Sequence, residues 1–373
     1  MMGNWKNCKL GDLITFQRGY DLPKKKMQGG EYPVVGSNGI IGYHNEYTTE
    51  APSITIGRSG NVGKPFLYKG RSWSHNTSLY IKEYKNVDPI FIYYFLKTLN
   101  LENYAGGSAV PTLNRNHIHT LEVQVPCDIA DQYRIASILS TLDDKIEGNL
   151  KINENLERQA QAYFQNLFID NANSEWVQGT ISDLGTVVGG STPSKSKPEY
   201  YTKDGIAWIT PKDLSINKAK FISHGENDIT ELGLKNSSAS VMPEGTVLFS
   251  SRAPIGYIAI TSGKVTTNQG FKSVVPKPEI GTAFVYYFLK YNLPIIEGIA
   301  SGSTFKEVSG NTMKNVPAVL PDTKTLAFFR DFCAPIFVQQ KILEEQNQSL
   351  SALRDSLLPK LMSGELDVSN LAL

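Results

Sequence analysis

Phe91-Ile92-Tyr93-Tyr94-Phe95-Leu96-Lys97 recurs as Phe284-Val285-Tyr286-Tyr287-Phe288-Leu289-Lys290, 193 residues further on. Fainter echoes keep the same order around it. Trp5 with Gly11-Asp12-Leu13 returns as Trp176 with Ser182-Asp183-Leu184 at an offset of 171. Ala105-Gly106-Gly107-Ser108 returns as Ala300-Ser301-Gly302-Ser303 at 195, and Lys145-Ile146 as Lys341-Ile342 at 196. The chain is therefore a duplication, with extra residues inside the second copy. Two copies are too few for a solenoid of stacked repeats. A tandem pair gives one chain two similar surfaces, which suits a ligand that is itself a repeating polymer.

The 373 residues suffice for two domains with their own cores. Composition is that of an ordinary globular protein, and no apolar run approaches the roughly 18 residues of a membrane span. The start of the chain lacks the features of a secretory signal. Cys8, Cys127 and Cys333 are odd in number and far apart, which fits neither a disulfide framework nor a zinc cluster. The expectation is a cytoplasmic protein with reduced thiols. A net charge of +1 hides a pattern: +5 over 1–126, −4 over 127–170, +2 over 171–321 and −2 over 322–373. Basic and acidic segments alternate in step with the duplication.

These four segments are the expected domains. Segments 1–126 and 171–321 are rich in glycine and short β-type runs, with strands expected near 52–56, 77–81, 246–250 and 258–260. Helices are expected over the repeated aromatic runs, at 88–99 and 282–291. The fold class is α/β (α+β), with a pseudo-two-fold internal repeat. In the acidic segments the texture becomes helical. Ile135, Ile138, Leu139, Leu142, Ile146, Leu150, Leu156, Tyr163, Phe164 and Leu167 form a stripe interrupted by Asn149 and Asn153. Ile336, Leu343, Leu350 and Leu357 stand seven apart, with Gln339, Gln346 and Leu353 assigned to the d positions. Asp128 or Asp131 would cap the first helix, about 57 Å long at about 1.5 Å per residue. Pro359 predicts a kink or an end to the second helix near Leu358. The economical arrangement is an intramolecular antiparallel coiled coil, its polar seam residues fixing the register. Two amphipathic helices, each packed on its own domain, are the alternative.

No nucleotide-binding glycine loop, amino-methyltransferase motif, H-E-x-x-H or serine-hydrolase elbow is present. His117 and His119 read better as a strand end than as metal ligands. No catalytic or metal-binding residue is assigned; the chain reads as a binder. Its candidate reading loops are Gly57-Arg58-Ser59-Gly60-Asn61-Val62-Gly63-Lys64 and Ser250-Ser251-Arg252-Ala253-Pro254-Ile255-Gly256. Glycines let backbone approach phosphate, and an arginine fork grips phosphate or guanine. The amide segments that follow, Ser74-His75-Asn76-Thr77 and Thr267-Asn268-Gln269-Gly270, carry the side chains that pair with adenine. Turn-making glycines, with arginines paired to carboxylates inside each domain, would equally explain these loops. Lys24 and Lys25, within Lys24-Lys25-Lys26, suit phosphate contact; Lys212, Ser303 and Thr304 complete the candidate set.

Ser251-Arg252-Ala253-Pro254-Ile255-Gly256 with Thr267-Asn268-Gln269-Gly270-Phe271 resembles the target-recognition domain of type I restriction–modification specificity subunits. So do Gly189-Gly190-Ser191-Thr192-Pro193, Trp208-Ile209-Thr210-Pro211-Lys212-Asp213-Leu214 and Leu357-Leu358-Pro359-Lys360-Leu361. The first half lacks the tryptophan string. Its Tyr32-Pro33-Val34-Val35-Gly36-Ser37-Asn38-Gly39-Ile40 resembles a second variety of the same domain. The resemblance implies a non-catalytic DNA reader. Each recognition domain takes half of a split target, and the helices set the spacer. The helices, through Ile146, Leu150, Leu156, Leu343, Leu350 and Leu357, would dock two modification (methyltransferase) subunits. Two restriction subunits would join them. S-adenosylmethionine, ATP and Mg2+ would sit on those partners, with no cofactor in this chain. An orphan DNA-binding specificity cassette and a scaffold that binds no nucleic acid remain as alternatives.

Overall fold

The computed structural model describes residues 5–107, 111–302, 306–369 and 371. The chain divides into two compact units, 1–147 with 348–373, and 148–347. Both long helices, Ile129–Gln165 and Thr323–Met362, are cut by that division. Among the described residues no helix is long and apolar enough to cross a membrane.

In the first unit a four-stranded sheet has the order Ile14–Arg18, Ser78–Tyr84, Ser53–Gly57, Pro65–Tyr68. The second unit repeats it as Gly185–Gly189, Lys272–Pro276, Val247–Ser251, Ile255–Thr261, with Phe221–Ile222 added at the edge. A second small sheet pairs Tyr32–Gly36 in parallel with Trp73–Ser74, and Ile206–Ile209 in parallel with Thr266–Thr267. The aromatic runs form helices Pro89–Thr98 and Thr282–Tyr291. Asp88 caps the first by accepting from the Phe91 N–H at 2.7 Å. Phe91, Tyr94, Phe95 and Leu96 are buried in one core, and Phe284, Tyr287, Phe288 and Leu289 in the other.

The duplication is exact enough to follow bond by bond. The Tyr20 N–H donates to the Ser74 carbonyl at 2.8 Å, and the Ser191 N–H to the Thr267 carbonyl at 2.8 Å. Both crossings require glycine just before. A Cβ on Gly19 would lie 2.1 Å from the His75 oxygen, and one on Gly190 only 1.9 Å from the Asn268 oxygen. The offset is 171 at this crossing and 174 where Val35 and Ile209 accept from His75 and Asn268. It is 193 where Gly57 and Ser250 stand opposite Ser78 and Phe271. Most of the extra residues of the second copy thus lie between Ile209 and Phe249. They include helix Pro211–Ile216, strand Phe221–Ile222 and helix Glu231–Lys235.

Within each unit the long-helix segments run antiparallel. Asp143 meets Arg354 at 2.6 Å in the first. In the second, Asn149 donates to Asn347 at 2.9 Å, Gln340 to the Asn153 carbonyl at 3.2 Å, and Tyr163 packs on Phe332. Asp128 caps the first helix, accepting from the Ala130 N–H at 2.9 Å. A π-helical turn, Asn166–Asp170, continues its end.

Three expectations about these helices are corrected. Pro359 neither ends nor interrupts the second helix, which continues to Met362 and also contains Pro335. So near the end proline removes one N–H, and the Pro359 carbonyl still accepts from Ser363 at 3.0 Å. Next, the second inward row is not Gln339, Gln346 and Leu353, all exposed. It is Cys333, Gln340, Asn347 and Arg354, one residue later. The leucine row therefore occupies d-type sites and this largely polar row a-type sites. Finally, Asn149 is not an interruption of the first stripe but part of the seam, fully buried, whereas Leu150 is 57% exposed.

The second unit also buries an ionic cluster against the helices. The Glu157 carboxylate contacts Lys220 Nζ and Lys290 Nζ, the latter at 2.7 Å, and accepts from Tyr287 Oη at 2.9 Å. Lys220 Nζ also donates to Gln340 Oε1 at 2.7 Å. Burial alone would raise the Glu157 carboxyl, but Lys220 and Lys290 together hold it down at about 2. Lys220 itself is shifted down, because burial outweighs its partners. The carboxylate is thus the well-compensated member and the ammonium the costly one.

Glu157→Gln should destabilise the protein by about 3 kcal/mol at neutral pH in urea unfolding. The wild-type advantage should be complete above the ordinary glutamate value of 4.5 and shrink as pH falls towards 2. An equal gap between the two proteins at pH 7 and pH 3 would contradict the assignment. Gly190→Ala should cost about 3 kcal/mol by driving apart the crossing at Asn268, whereas Gly148→Ala, whose Cβ meets nothing within 4 Å, should be neutral or stabilising.

Candidate nucleic-acid interface

The first arginine loop follows strand Ser53–Gly57 and closes on itself. The Gly57 N–H donates to the Lys64 carbonyl at 3.1 Å, and the Gly63 N–H to the Gly57 carbonyl at 2.9 Å. Gly60 and Gly63 take φ of 86° and 78°, a region that favours glycine. The N–H groups of Arg58 and Ser59 both donate to the Thr77 carbonyl, at 2.8 and 3.2 Å, so the loop and the amide segment form one body.

The Arg58 side chain has no carboxylate partner among the described residues, only a 3.5 Å contact to the Asn76 carbonyl. Burial, and then the charge of Arg18, lowers its pKa from the ordinary 12.5 while leaving it cationic. Two guanidinium groups acting on each other without an acid are receptive to an anion. Lys64 and Asn61 are exposed. Thr77 serves the frame, its Oγ1 accepting from the Ser37 N–H at 3.3 Å. Asn76 commits its amide to Asp21 at 2.7 Å. That bond brings the amide segment beside the exposed turn Lys24–Lys26, three residues after Asp21.

In the second copy the same elements border an open concavity of about 660 Å³, lined by Arg252, Asn268, Gln269, Lys212, Trp208 and Tyr201 among others. Arg252 is half-buried and 3.4 Å from Glu307, which Lys272 also approaches at 3.6 Å. The intradomain pairing expected as an alternative therefore holds for Arg252 and not for Arg58. Asn268 Oδ1 accepts from the Gly270 N–H at 2.9 Å, and Gln269 Oε1 accepts from the Thr192 hydroxyl. Lys212 pairs with Glu226 at 2.6 Å, both well exposed, a contact worth little.

Several expected site residues are not available as expected. Ser251 is fully buried, its N–H and Oγ both donating to the Gly270 carbonyl at 2.8 and 3.1 Å. Backbone pairing aligns Arg58 with Ser251, because each donates to the facing segment at Thr77 and Gly270. The arginines are consequently one position out of register, Arg252 matching Ser59. Ser303 and Thr304 lie outside the described residues. His117 and His119 stand on the short helix Arg115–His119 rather than at a strand end. His119 Nε2 accepts from the Phe16 N–H at 2.9 Å, and burial lowers its pKa, so it is a neutral core group.

On the helices, Leu343 is only 4% exposed, and Leu156 and Leu357 pack on the cores. Ile146 and Leu350 are half-buried. Of the expected docking residues, Leu150 alone stands well out. Ile152, Val338 and Ile342 are exposed apolar side chains the stripe reading missed, and Leu353, which it placed in the seam, is exposed as well.

The cleft-lining aromatics were also missed as site residues, although the string that holds Trp208 was visible. Trp208 Nε1 donates to the Ser191 carbonyl at 3.0 Å, and Tyr201 Oη to the Pro193 carbonyl at 2.6 Å. Asp213 accepts from the Thr210 N–H at 2.7 Å and from the Glu226 N–H at 2.8 Å. The glycine string and the tryptophan string are two walls of one cleft.

Known proteins share this architecture. The chain is 41% identical over 180 residues to the type I restriction enzyme MjaIX specificity subunit of Methanocaldococcus jannaschii. That match covers 46% of this chain and 41% of the relative, so it spans about two fifths of the archaeal protein. It is 25% identical over 357 residues to the EcoR124I/EcoR124II specificity subunit of Escherichia coli, covering 90% of this chain and 84% of that one. The crystal structure of a type I restriction–modification S subunit from M. genitalium has the same fold. Its TM-score is 0.66 at 18% identity, over 96% of each chain. The family model for the type I restriction modification DNA specificity domain matches residues 2–158 and again 173–353. The chain belongs to that family.

Proposed function

We propose that this chain is the DNA-reading subunit of a type I restriction–modification complex and performs no catalysis itself. The observation that carries this reading is the pair of matching loop bodies, each joining an arginine loop to an amide segment through one carbonyl, Thr77 or Gly270. Each body reads one half of a bipartite double-stranded target. Arg58, Asn61, Lys64, Lys24 and Lys25 serve one half; Arg252, Asn268, Gln269 and Lys212 serve the other. The long helices set the spacer between the half-sites. Leu150, Ile152, Val338 and Ile342 in the second unit, and Leu353 in the first, are exposed apolar side chains available to the two modification subunits. Those partners bring S-adenosylmethionine, and two restriction subunits bring ATP and Mg2+. The complex works in the cytoplasm, where the DNA is.

Exchanging residues 5–126 for another domain of this family should change one half of the methylated motif and leave the other half and the spacer intact. Methylome sequencing of cells carrying the chimera with its methyltransferase checks this; a change in both halves would contradict separate reading. Arg252→Ala should weaken target binding by about 1–3 kcal/mol if the guanidinium grips a base, relaxing the motif at one position. A phosphate contact would instead weaken all sequences alike and flatten the salt dependence. Normal binding by the folded variant would remove Arg252 from the interface.

A further inference from the structure

The two reading surfaces are built from different chemistry. In the first copy, strand Gly39–His44 is the outer strand of its three-stranded sheet and exposes Ile40 (46%), Ile41 (37%) and Tyr43 (49%). Strict alternation would turn one of two adjacent isoleucines inward. Here Val34 pairs with Gly42 and Val35 with Ile40, so Ile41 is the extra residue of a bulge and both isoleucines face out. Edge strands are usually blunted by charge, because an exposed apolar edge invites aggregation. This one is apolar at three of its six positions.

Its surroundings are cationic. The tip of the hairpin rests on the arginine loop, with Ser37 Oγ 3.2 Å from where a Gly60 Cβ would lie. Phe66 borders Gly39, and Lys64 Nζ stands 5.8 Å from the Phe66 ring centre. On the other flank Met27, directly after Lys24–Lys26, packs its sulfur against Gly42. The Gln28 N–H reaches His44 Nδ1 at 3.4 Å. Among the described residues Lys24, Lys25, Lys26, Lys64 and Arg58 have no acidic partner. In the second copy the corresponding strand, Asn227–Ile229, is polar and largely buried, with Asp228 accepting from the Gly205 N–H at 3.0 Å.

An apolar edge with an unpaired cationic segment on each flank fits a polyanion that presents an apolar group. In the major groove of DNA that group is the thymine 5-methyl. Resting on the DNA-reading function proposed above, we propose that strand Gly39–His44 reads thymine by its methyl group. Ile40 and Ile41 make the contact, and Lys24, Lys25, Lys26 and Lys64 hold the flanking phosphates.

Replacing thymine by uracil deletes that methyl and nothing else. The test uses the full chain with its methyltransferase subunits and duplex carrying the methylome-defined target, each thymine of the first-domain half-site replaced in turn. Wild type should bind about tenfold more weakly to uracil at one or two positions. The double variant Ile40→Ala, Ile41→Ala should bind thymine and uracil duplexes alike, with the other half-site read as before. Both residues are exposed, so its melting temperature should match wild type. Indifference of the wild type to every uracil, or a uracil penalty undiminished in the variant, would overturn the inference while leaving the DNA-reading function standing. So would self-association of the free chain that the double variant abolishes, since a second copy would then be the strand's occupant. Failure of the wild-type complex to bind any duplex would remove both readings.

Discussion

A tyrosine on each repeated aromatic helix hands its hydroxyl to a carboxylate of the first long helix, and within each unit the packing of domain on helix is organised around this contact. Tyr94 donates to Asp143 at 2.6 Å, and Tyr287 to Glu157 at 2.9 Å. Burial, reinforced by the carboxylate, pushes both phenols well above their usual range, so they remain donors at any working pH. The cation differs. In the first unit Arg354, from the second long helix, completes the set at 2.6 Å from Asp143. In the second unit the cations come from the recognition domain itself, as Lys220 and Lys290. Lys220 belongs to the segment present only in the second copy, which also offers the N–H groups of Lys220 and Phe221 to Glu344 at 2.8 and 3.0 Å. The extra residues are thus part of the attachment to the helices as well as of the reading surface.

This attachment matters because the seam between the helices is weak in apolar content. Asn149, Gln340 and Asn347 meet in its polar stretch, where the side-chain oxygens of Asn149 and Asn153 are buried without a partner among the described residues, and burying amides contributes little net stability. The apolar parts of the stripe are spent on the cores: Ile135 and Leu139 in one unit, Ala160, Phe164, Phe329 and Ile336 in the other. Polar seam groups do discriminate between registers, since a slip would strand them without partners. Domain cores therefore supply stability, the tyrosine–carboxylate contacts fix attachment, and the amides select the register.

Much of this frame was legible in the sequence. The helix expected over 282–291 is Thr282–Tyr291, and the cap at Asp128 and the antiparallel pairing within each unit follow from residue type and spacing. The seam assignment failed for a specific reason. A leucine row every seven residues can be flanked by a second row three residues later or four. When both candidate rows are polar, as with Gln339 and Gln346 against Gln340 and Asn347, apolar spacing cannot choose. Only the facing helix decides, through Asn149 and Asn153. The arginine loops show the same limit. Both were visible as loops, yet only the bonds to Thr77 and Gly270 reveal that Arg58 and Arg252 are one position apart. The burial of Ser251 depends equally on the turn at Gly270, whose carbonyl accepts from both its N–H and its hydroxyl.

That one-residue displacement shows how a duplicated frame comes to carry two different surfaces. The invariant parts of the two copies are backbone: the glycine crossings at Gly19 and Gly190, and the amide bonds that join loop to segment. Apart from the glycines at the crossings, these backbone bonds prescribe no side chain, so the positions projecting from them differ at little cost to the fold. In one copy this leaves Arg58 beside Arg18 with no acidic partner among the described residues, and an apolar strand at the edge. In the other it leaves Arg252 tempered by Glu307 at the rim of a cleft lined by amides and indole. An unpaired guanidinium is already receptive to an anion, whereas one held by a carboxylate must exchange a partner to bind. On the function proposed above, the second copy would have the higher threshold for non-specific phosphate contact, leaving discrimination there to the hydrogen-bonding groups of its cleft.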